Sequence, residues 1–314
     1  MTTAADLAPA YSEDNIILRV TGHLGLPDLI NMGYYTLMDI PRVVRQGLGP
    51  FQRSLATRSL RLLDARPGHR VLDACCGRGD TTAALATMGC GPLGVDLQPE
   101  QIRRARQRFP HLADTFVVAD VTTLPNGTDA APFAQETFDR IHCLEAAFHF
   151  GGEGRSAFLD TSFRLLKPGG RLVLVDFTWM REETSIAEAD PDHLVRRLWH
   201  FEDFEPLDGY LEKARRTGFT VHHAHDWTVP ALRRPVRLST FACRAAATAW
   251  GRAALCRRWP GLEELPPSAW SELLRAFQAH NRVSRAAGYH ALVLDKPAGT
   301  AHDPGSGPGR PALR

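Results

Sequence analysis

The chain of 314 residues predicts an α/β fold: a seven-stranded, mostly parallel sheet with helices on both faces, plus a helical N-terminal segment and a helical lid insertion. Three observations carry that prediction. Short apolar runs alternate with helical patterns from residue 67 to 178, the arrangement that buries a parallel sheet on both faces. A glycine turn, Gly77-Arg78-Gly79, follows the first run. Acids stand at or just past the ends of the runs (Asp73, Asp96, Asp120, Glu145 and Asp176), which is the edge where ligands of such sheets bind.

Taken in order, residues 1–12 read as disordered, and 13–66 as helices that pack across the mouth of a site. Val71 to Asp73 is the first strand, and the alanine-rich pattern from Asp80 to residue 88 is its crossover helix. Leu93-Gly94-Val95-Asp96 is a second strand, Pro99 to Phe109 a second helix, and Phe116 to Ala119 a third strand running into Asp120. Phe138 to Leu144 is the fourth strand. The turn Leu165-Leu166-Lys167-Pro168-Gly169-Gly170 precedes a fifth, Arg171 to Phe177. Leu207 to Thr217 is a helix, Phe219 to Thr228 a sixth strand and Tyr289 to Lys296 a seventh. Between the last two strands, residues 229–288 have helical patterning and three tryptophans, and are expected to form the lid of a domain spanning 67–297. The glycine- and proline-rich residues 298–314 read as a disordered tail.

Glycines admit backbone angles closed to other residues and let the chain approach a ligand without a Cβ in the way. The helix that follows offers free amides, which Asp80 or Thr81 can cap. A dinucleotide loop uses the same physics, but its fingerprint wants a third glycine or alanine where this chain has Thr82, so an NAD-dependent oxidoreductase is a minor alternative.

Residues 67–178 resemble the core of a class I S-adenosylmethionine-dependent methyltransferase, of the small-molecule group that includes tocopherol, sterol, quinone and sugar O-methyltransferases. The family's D-x-G-x-G-x-G loop maps onto Asp73-Ala74-Cys75-Cys76-Gly77-Arg78-Gly79, with Cys75 in place of the first glycine, as in the Cys-Cys-Gly of quinone methyltransferases. With a side chain there, the backbone at Cys75 is expected to avoid left-handed angles. Asn31-Met32-Gly33-Tyr34-Tyr35 is similar to the family's N-x-G-Y-W segment, which implies that Tyr34 closes over the methionine end of the cofactor. Glu145-Ala146-Ala147-Phe148-His149 is similar to an E-x-x-x-H found after the fourth strand in several of these families. The resemblance implies S-adenosyl-L-methionine as cofactor, held by Tyr34, Asp73, Ala74, Cys75, Gly77, Gly79, Asp96, Leu97, Gln101, Asp120, Val121, Leu144 and Glu145. Asp96 would take the ribose diol and Asp120 the adenine amino group.

Three residues are candidates for chemistry: His149, Asp176 and Glu145. His149 is either a general base, since an ordinary histidine pKa near 6.5 suits proton removal at neutral pH, or a hydrogen-bonded structural histidine. Asp176 would orient the imidazole or receive charge. Glu145 either contacts the methionine end of the cofactor or stabilises a cation. Trp179, Trp199, Phe201 and Phe204 fall where relatives build the acceptor pocket, and equally suit core under the lid. The expected reaction is O-methylation of a small, aromatic or apolar acceptor in specialised metabolism. Carbon methylation of a ring or alkene, and a non-catalytic cofactor-binding scaffold, are the alternatives.

A net charge of +2 argues neither for nucleic acid nor for a membrane surface, and no apolar run is long enough to span a bilayer. The six cysteines follow no disulfide or metal spacing and no signal peptide is evident, so a cytoplasmic, reduced protein is expected, a homodimer being one option. His222, His223, His225 and Asp226 would split between two faces of a strand, so no metal site is expected. Seven arginines from Arg233 to Arg258, with no acid between Pro230 and Leu262, either attract an anionic substrate or form a solvated helix face.

Overall fold

The structure, a computed structural model, describes residues 3–12, 15–24, 30–36, 40–125 and 131–298. Eight strands form one sheet: β1 (Arg70–Ala74), β2 (Gly91–Asp96), β3 (Phe116–Val118), β4 (Phe138–Leu144), β5 (Leu166–Trp179), β6 (Glu205–Pro206), β7 (Thr220–Asp226) and β8 (Ala287–Asp295). Their spatial order is β3-β2-β1-β4-β5-β8-β7, with β6 pairing β5 off that path. The expected count of seven is therefore corrected to eight. The extra strand is the two-residue β6, whose Glu205 and Pro206 pair in parallel with Thr178 and Trp179. Pairing is parallel throughout except at β8, which lies antiparallel between β5 and β7. The chain winds outward from β1 in both directions, so β1 and β4 flank the switch point where such sheets bind ligands.

The sheet is buried on both faces, and the alternation of side chains shows it. Val71, Val173, Val175, Tyr289, Ala291 and Val293 pack on one face with Leu55, Leu60 and Leu63 of the helix Gly49–Leu62 and its end. Leu72, Ile141, Leu172, Leu174, Leu292 and Leu294 pack on the other with Phe158, Leu159 and Ala214. This period of two with apolar residues at both parities is what a sheet covered on both sides requires. The fifth strand starts at Leu166 rather than Arg171, because the expected turn is absorbed as an irregularity in the pairing between Phe138 and Arg140.

Residues 3–12, expected to be disordered, instead form a helix, Ala4–Leu7, and a 3-10 turn, Ala8–Tyr11. A capping box between Thr3 and Asp6 starts the helix, and Leu7 and Ala10 are buried beneath it. The expectation for the tail lies, from residue 299 on, outside the described residues. Between β7 and β8 the chain makes a π-helical turn, Thr228–Arg233, and the helices Arg234–Ala246, Ala249–Arg258 and Pro267–Ala286. Their apolar faces share a core with Ile16, Ile17 and Val20 of the helix Ile16–His23. Among the described residues no helix is long and apolar enough to cross a membrane.

Candidate active site

Two cavities meet at the carboxyl edge of the sheet. The first, about 140 Å³, lies over the ends of β1, β2 and β4. Of the residues predicted to hold a cofactor, Asp73, Cys75, Gly77, Asp96, Leu97, Gln101, Asp120, Val121, Leu144 and Glu145 line it, and so does His149. Ala74, Gly79 and Tyr34 do not. Ala74 is buried in the core, and Gly79 (φ +85°) shapes the turn at the helix start. A Cβ on Gly79 would come within 2.7 Å of the Phe116 ring, so glycine is needed there for packing as well as for its angle.

The acids build the loop that carries them. Asp73 accepts from the Thr81 and Thr82 hydroxyls, both at 2.6 Å, which ties β1 to the start of the helix Asp80–Thr87. Behind it His142 Nδ1 lies 3.0 Å away, and His142 Nε2 lies 2.9 Å from the Ser59 hydroxyl, a buried relay across the sheet. Asp96 accepts from the backbone N–H groups of Gly77 and Gln98, each at 2.9 Å. Burial nonetheless pushes its carboxyl up to about 6, because the two amides offset only part of the desolvation. Asp120 accepts from the Thr122 amide and hydroxyl.

Cys75 sits at φ +59°, left-handed, which corrects the expectation that a side chain would keep it out of that region. Cys75 thus holds an angle that favours glycine, at a cost of roughly 1–2 kcal/mol. Its thiol has Cys143 as a hydrogen-bond partner, and that contact together with burial holds it well above the usual thiol range. Cys75 is therefore a neutral wall residue and not a nucleophile.

The second cavity, about 230 Å³, is an apolar chamber between the sheet edge and the lid. Phe148, Phe177, Trp199, Phe201 and Phe204 line it together with Val236, Phe277 and His280. Phe201 stacks on Phe204 at 4.7 Å, and the Trp199 indole N–H donates to His280 Nε2 at 2.8 Å. Trp179 is core: it is buried and donates to Asp203 Oδ1 at 2.6 Å. Tyr11, Glu145 and Arg78 line both cavities.

Glu145 therefore stands at the junction. It accepts from the Met32 amide at 3.1 Å and the Tyr289 hydroxyl at 2.5 Å, and burial raises its carboxyl to about 7. His149 Nε2 lies 2.7 Å from the Tyr11 hydroxyl, and its Nδ1 3.2 Å from the His200 carbonyl. Since a carbonyl only accepts, Nδ1 carries the proton and Nε2 presents a lone pair. Burial lowers the pKa of this ring to about 4, so it is neutral at physiological pH.

Two expectations are not met. Asp176 does not touch the imidazole and lines neither cavity: Oδ2 accepts from the Tyr210 hydroxyl at 2.6 Å, and burial raises the carboxyl to about 7. The alternation along β5 is the reason, since Phe177 faces the chamber and its neighbour must turn to the opposite face. Tyr34 packs edge-on against Trp227 at 5.8 Å, with the Arg58 guanidinium 4.1 Å from its ring. The cavities are reached by other members of that segment: Asn31, Met32 and Tyr35 line them, and the Met32 amide also donates to Glu145. Sequence reasoning missed Tyr11, which lies in a stretch read as disordered, and Tyr289, which only the pairing of β8 with β5 brings to Glu145. The Thr3–Asp6 capping spacing was the one available sign of order near Tyr11.

A family model described as a methyltransferase domain matches residues 71–170. The chain is 27% identical over 237 residues to a 2-methyl-6-phytyl-1,4-hydroquinone methyltransferase of Synechocystis sp., covering 73% of this chain and 70% of that one. It is 31% identical over 229 residues to an O-methyltransferase of Pyrenophora dematioidea, covering 70% and 77%. Several further relatives are matched over less than half of their own length. In fold it is similar to a cyclopropane synthase from Mycobacterium tuberculosis, with a TM-score of 0.67, 16% identity and coverage of 93% and 98%.

Proposed function

The chain belongs to the class I S-adenosylmethionine-dependent methyltransferases, and from that premise we propose that it methylates a hydroxyl oxygen of a small, ring-bearing or apolar acceptor held in the aromatic chamber. Its cofactor is S-adenosylmethionine. The polar cavity suits that group: a Cβ added at Gly77 would meet no protein atom within 4 Å, so the backbone there opens onto the space that Asp96 and Asp120 ring with carboxylates. Asp96 would hold the ribose and Asp120 the adenine, with Leu97, Gln101, Val121 and Leu144 around them. When bound, the cofactor supplies an electrophilic methyl group on its own leaving group.

The observation that carries the reading is the shared wall. Tyr11 and Glu145 line both the polar cavity and the apolar chamber, so a donor in one faces an acceptor in the other. The protein then has to align the two and exclude water, which is worth several kcal/mol when geometry is good. Burial keeps His149 neutral, and its Nε2 already accepts from a hydroxyl, that of Tyr11. The acceptor's proton passes to that nitrogen, either directly or through the Tyr11 hydroxyl. A weak base is adequate, because this proton becomes strongly acidic only as the new carbon–oxygen bond forms.

Carbon methylation is the second reading, and one observation favours it: the carboxyl of Glu145 borders a chamber faced by Phe148, Phe177, Phe201 and Phe204, groups that together stabilise a cation. Methyl-labelled cofactor, incubated with a panel of phenols, hydroquinones, prenylated rings and sugars, distinguishes the two by the NMR shift of the transferred carbon. A methoxy signal supports the proposal. A signal for methyl on carbon would replace it with the second reading. Micromolar cofactor binding without turnover across the panel would point to a scaffold.

A further inference from the structure

Outside the lid runs an open groove of about 480 Å³ between the helix Arg234–Ala246 and the end of the helix Pro267–Ala286. Arg233, Arg237, Arg244 and Arg285 line it, with Thr240 and Ser284 at its floor. Arg237 and Arg244 are seven residues apart and so share a helix face, and Arg285 comes from the facing helix. Arg237, Arg244 and Arg285 make no ion pair among the described residues, and Arg233 reaches the Met180 sulfur. Four arginines thus line one groove with no carboxylate among its lining residues, three of them from a stretch that holds no acid between Pro230 and Leu262. Arg237, Arg244 and Arg285 are exposed, so water screens their repulsion, and an anion seated among them would gain from all of them.

The groove also adjoins the chamber. Ser284 lines both, and Val236 and Ser239 face the chamber from the same helix whose Arg237 and Thr240 face the groove. Resting on the methyltransferase reading above, we propose that the acceptor is amphipathic: its apolar body fills the aromatic chamber and a phosphate or diphosphate group seats among Arg233, Arg237, Arg244 and Arg285. Arginine forks match phosphate oxygens two at a time, and several forks on one site suit a group with three or more such oxygens better than a carboxylate.

The test is calorimetric titration of the full chain, saturated with S-adenosylhomocysteine, using octyl phosphate, octanol and inorganic phosphate as probes. The proposal expects octyl phosphate to bind about tenfold tighter than octanol. That preference should vanish in Arg237→Ala/Arg244→Ala while octanol binding is unchanged. Equal affinity for the two probes overturns it, as does a preference that survives in the variant. Inorganic phosphate binding as tightly as octyl phosphate also overturns it, since groove and chamber would then not hold one molecule. Arginine-dependent sedimentation with phosphatidylglycerol vesicles, without a preference for octyl phosphate, would assign the groove to a lipid surface instead. A separate titration with S-adenosylhomocysteine reports on the cofactor reading alone: its loss in wild type faults that reading, and its retention in the variant shows an intact fold.

Discussion

The polar cavity and the aromatic chamber share a wall but are built in opposite ways. The first is made mainly by the ends of neighbouring strands and the loops that leave them, with Tyr11 and Asn31 closing one side, and its carboxylates are fixed by hydrogen bonds to their own loops, Asp96 to Gly77 and Gln98, Asp120 to Thr122. The second is made by side chains from many distant stretches, among them the helix Ile16–His23, the segment around Asn31, the ends of β4 and β5, the stretch from Val195 to Phe204 and the lid helices. One is held by short-range polar contacts, the other by apolar packing across long sequence separations. A local, polar site tolerates little change in any one residue, whereas a distributed apolar one can change shape through many small substitutions.

Four substitutions sharpen that contrast, and the largest effect belongs to the junction. His149→Ala is expected to lower turnover about 10²- to 10⁴-fold while leaving cofactor affinity intact, read by steady-state kinetics beside calorimetry. Unchanged turnover at every pH would show the histidine to be structural. Asp96→Ala removes the acceptor of two loop amides, and is expected to weaken S-adenosylmethionine and S-adenosylhomocysteine binding by about 2–3 kcal/mol. Binding as tight as in wild type would break the claim that the polar half depends on single residues.

Glu145 gives a pH signature. Its folded pKa, about 7, is raised above the ordinary carboxyl value, so the stability it contributes is fully present below that ordinary value and is lost as pH rises through about 7. Asp176, also near 7, and Asp96, near 6, act with the same sign. His149 acts with the opposite sign: its pKa is lowered to about 4, so its contribution is gained as pH rises from there towards its ordinary value. Thermal melts from pH 6 to 8.5, where the losses from the three carboxyls outweigh the last of the gain from His149, should therefore show falling stability in wild type and a shallower fall in Glu145→Gln. An identical slope would mean the carboxyl is solvated. The smallest effect is a gain: Cys75→Gly relieves a left-handed angle and should raise stability by up to about 1 kcal/mol, part of the relief being offset by the looser unfolded chain.

The same division explains what the sequence reveals. The glycine turn and the strand-end acids are legible because each strand, turn and helix lies within a few residues and obeys a period of two or 3.6. The strand that carries Asp176 is legible, yet the direction of its side chain depends on which face Phe177 takes, and that is decided by the chamber opposite. Tyr11 and Tyr289 reach the site only through tertiary pairing, the one by docking of a short capped helix, the other by insertion of β8 beside β5. The motif position of Tyr34 points to the cofactor, whereas the turn at Gly33 (φ +81°) sends its ring towards Trp227.

The lid leaves the sheet at Asp226 and rejoins it within a pairing that sets Asp226 against His290, so the two ends of some sixty residues stand side by side on adjacent strands. A segment anchored in that way behaves as a cassette. Its length and content can change at a closure cost that grows only logarithmically, about 0.6 kcal/mol for each doubling. Exchanging the stretch between β7 and β8 with that of another chain built on the same sheet is thus a route to new acceptors that leaves the methyl-donor half in place.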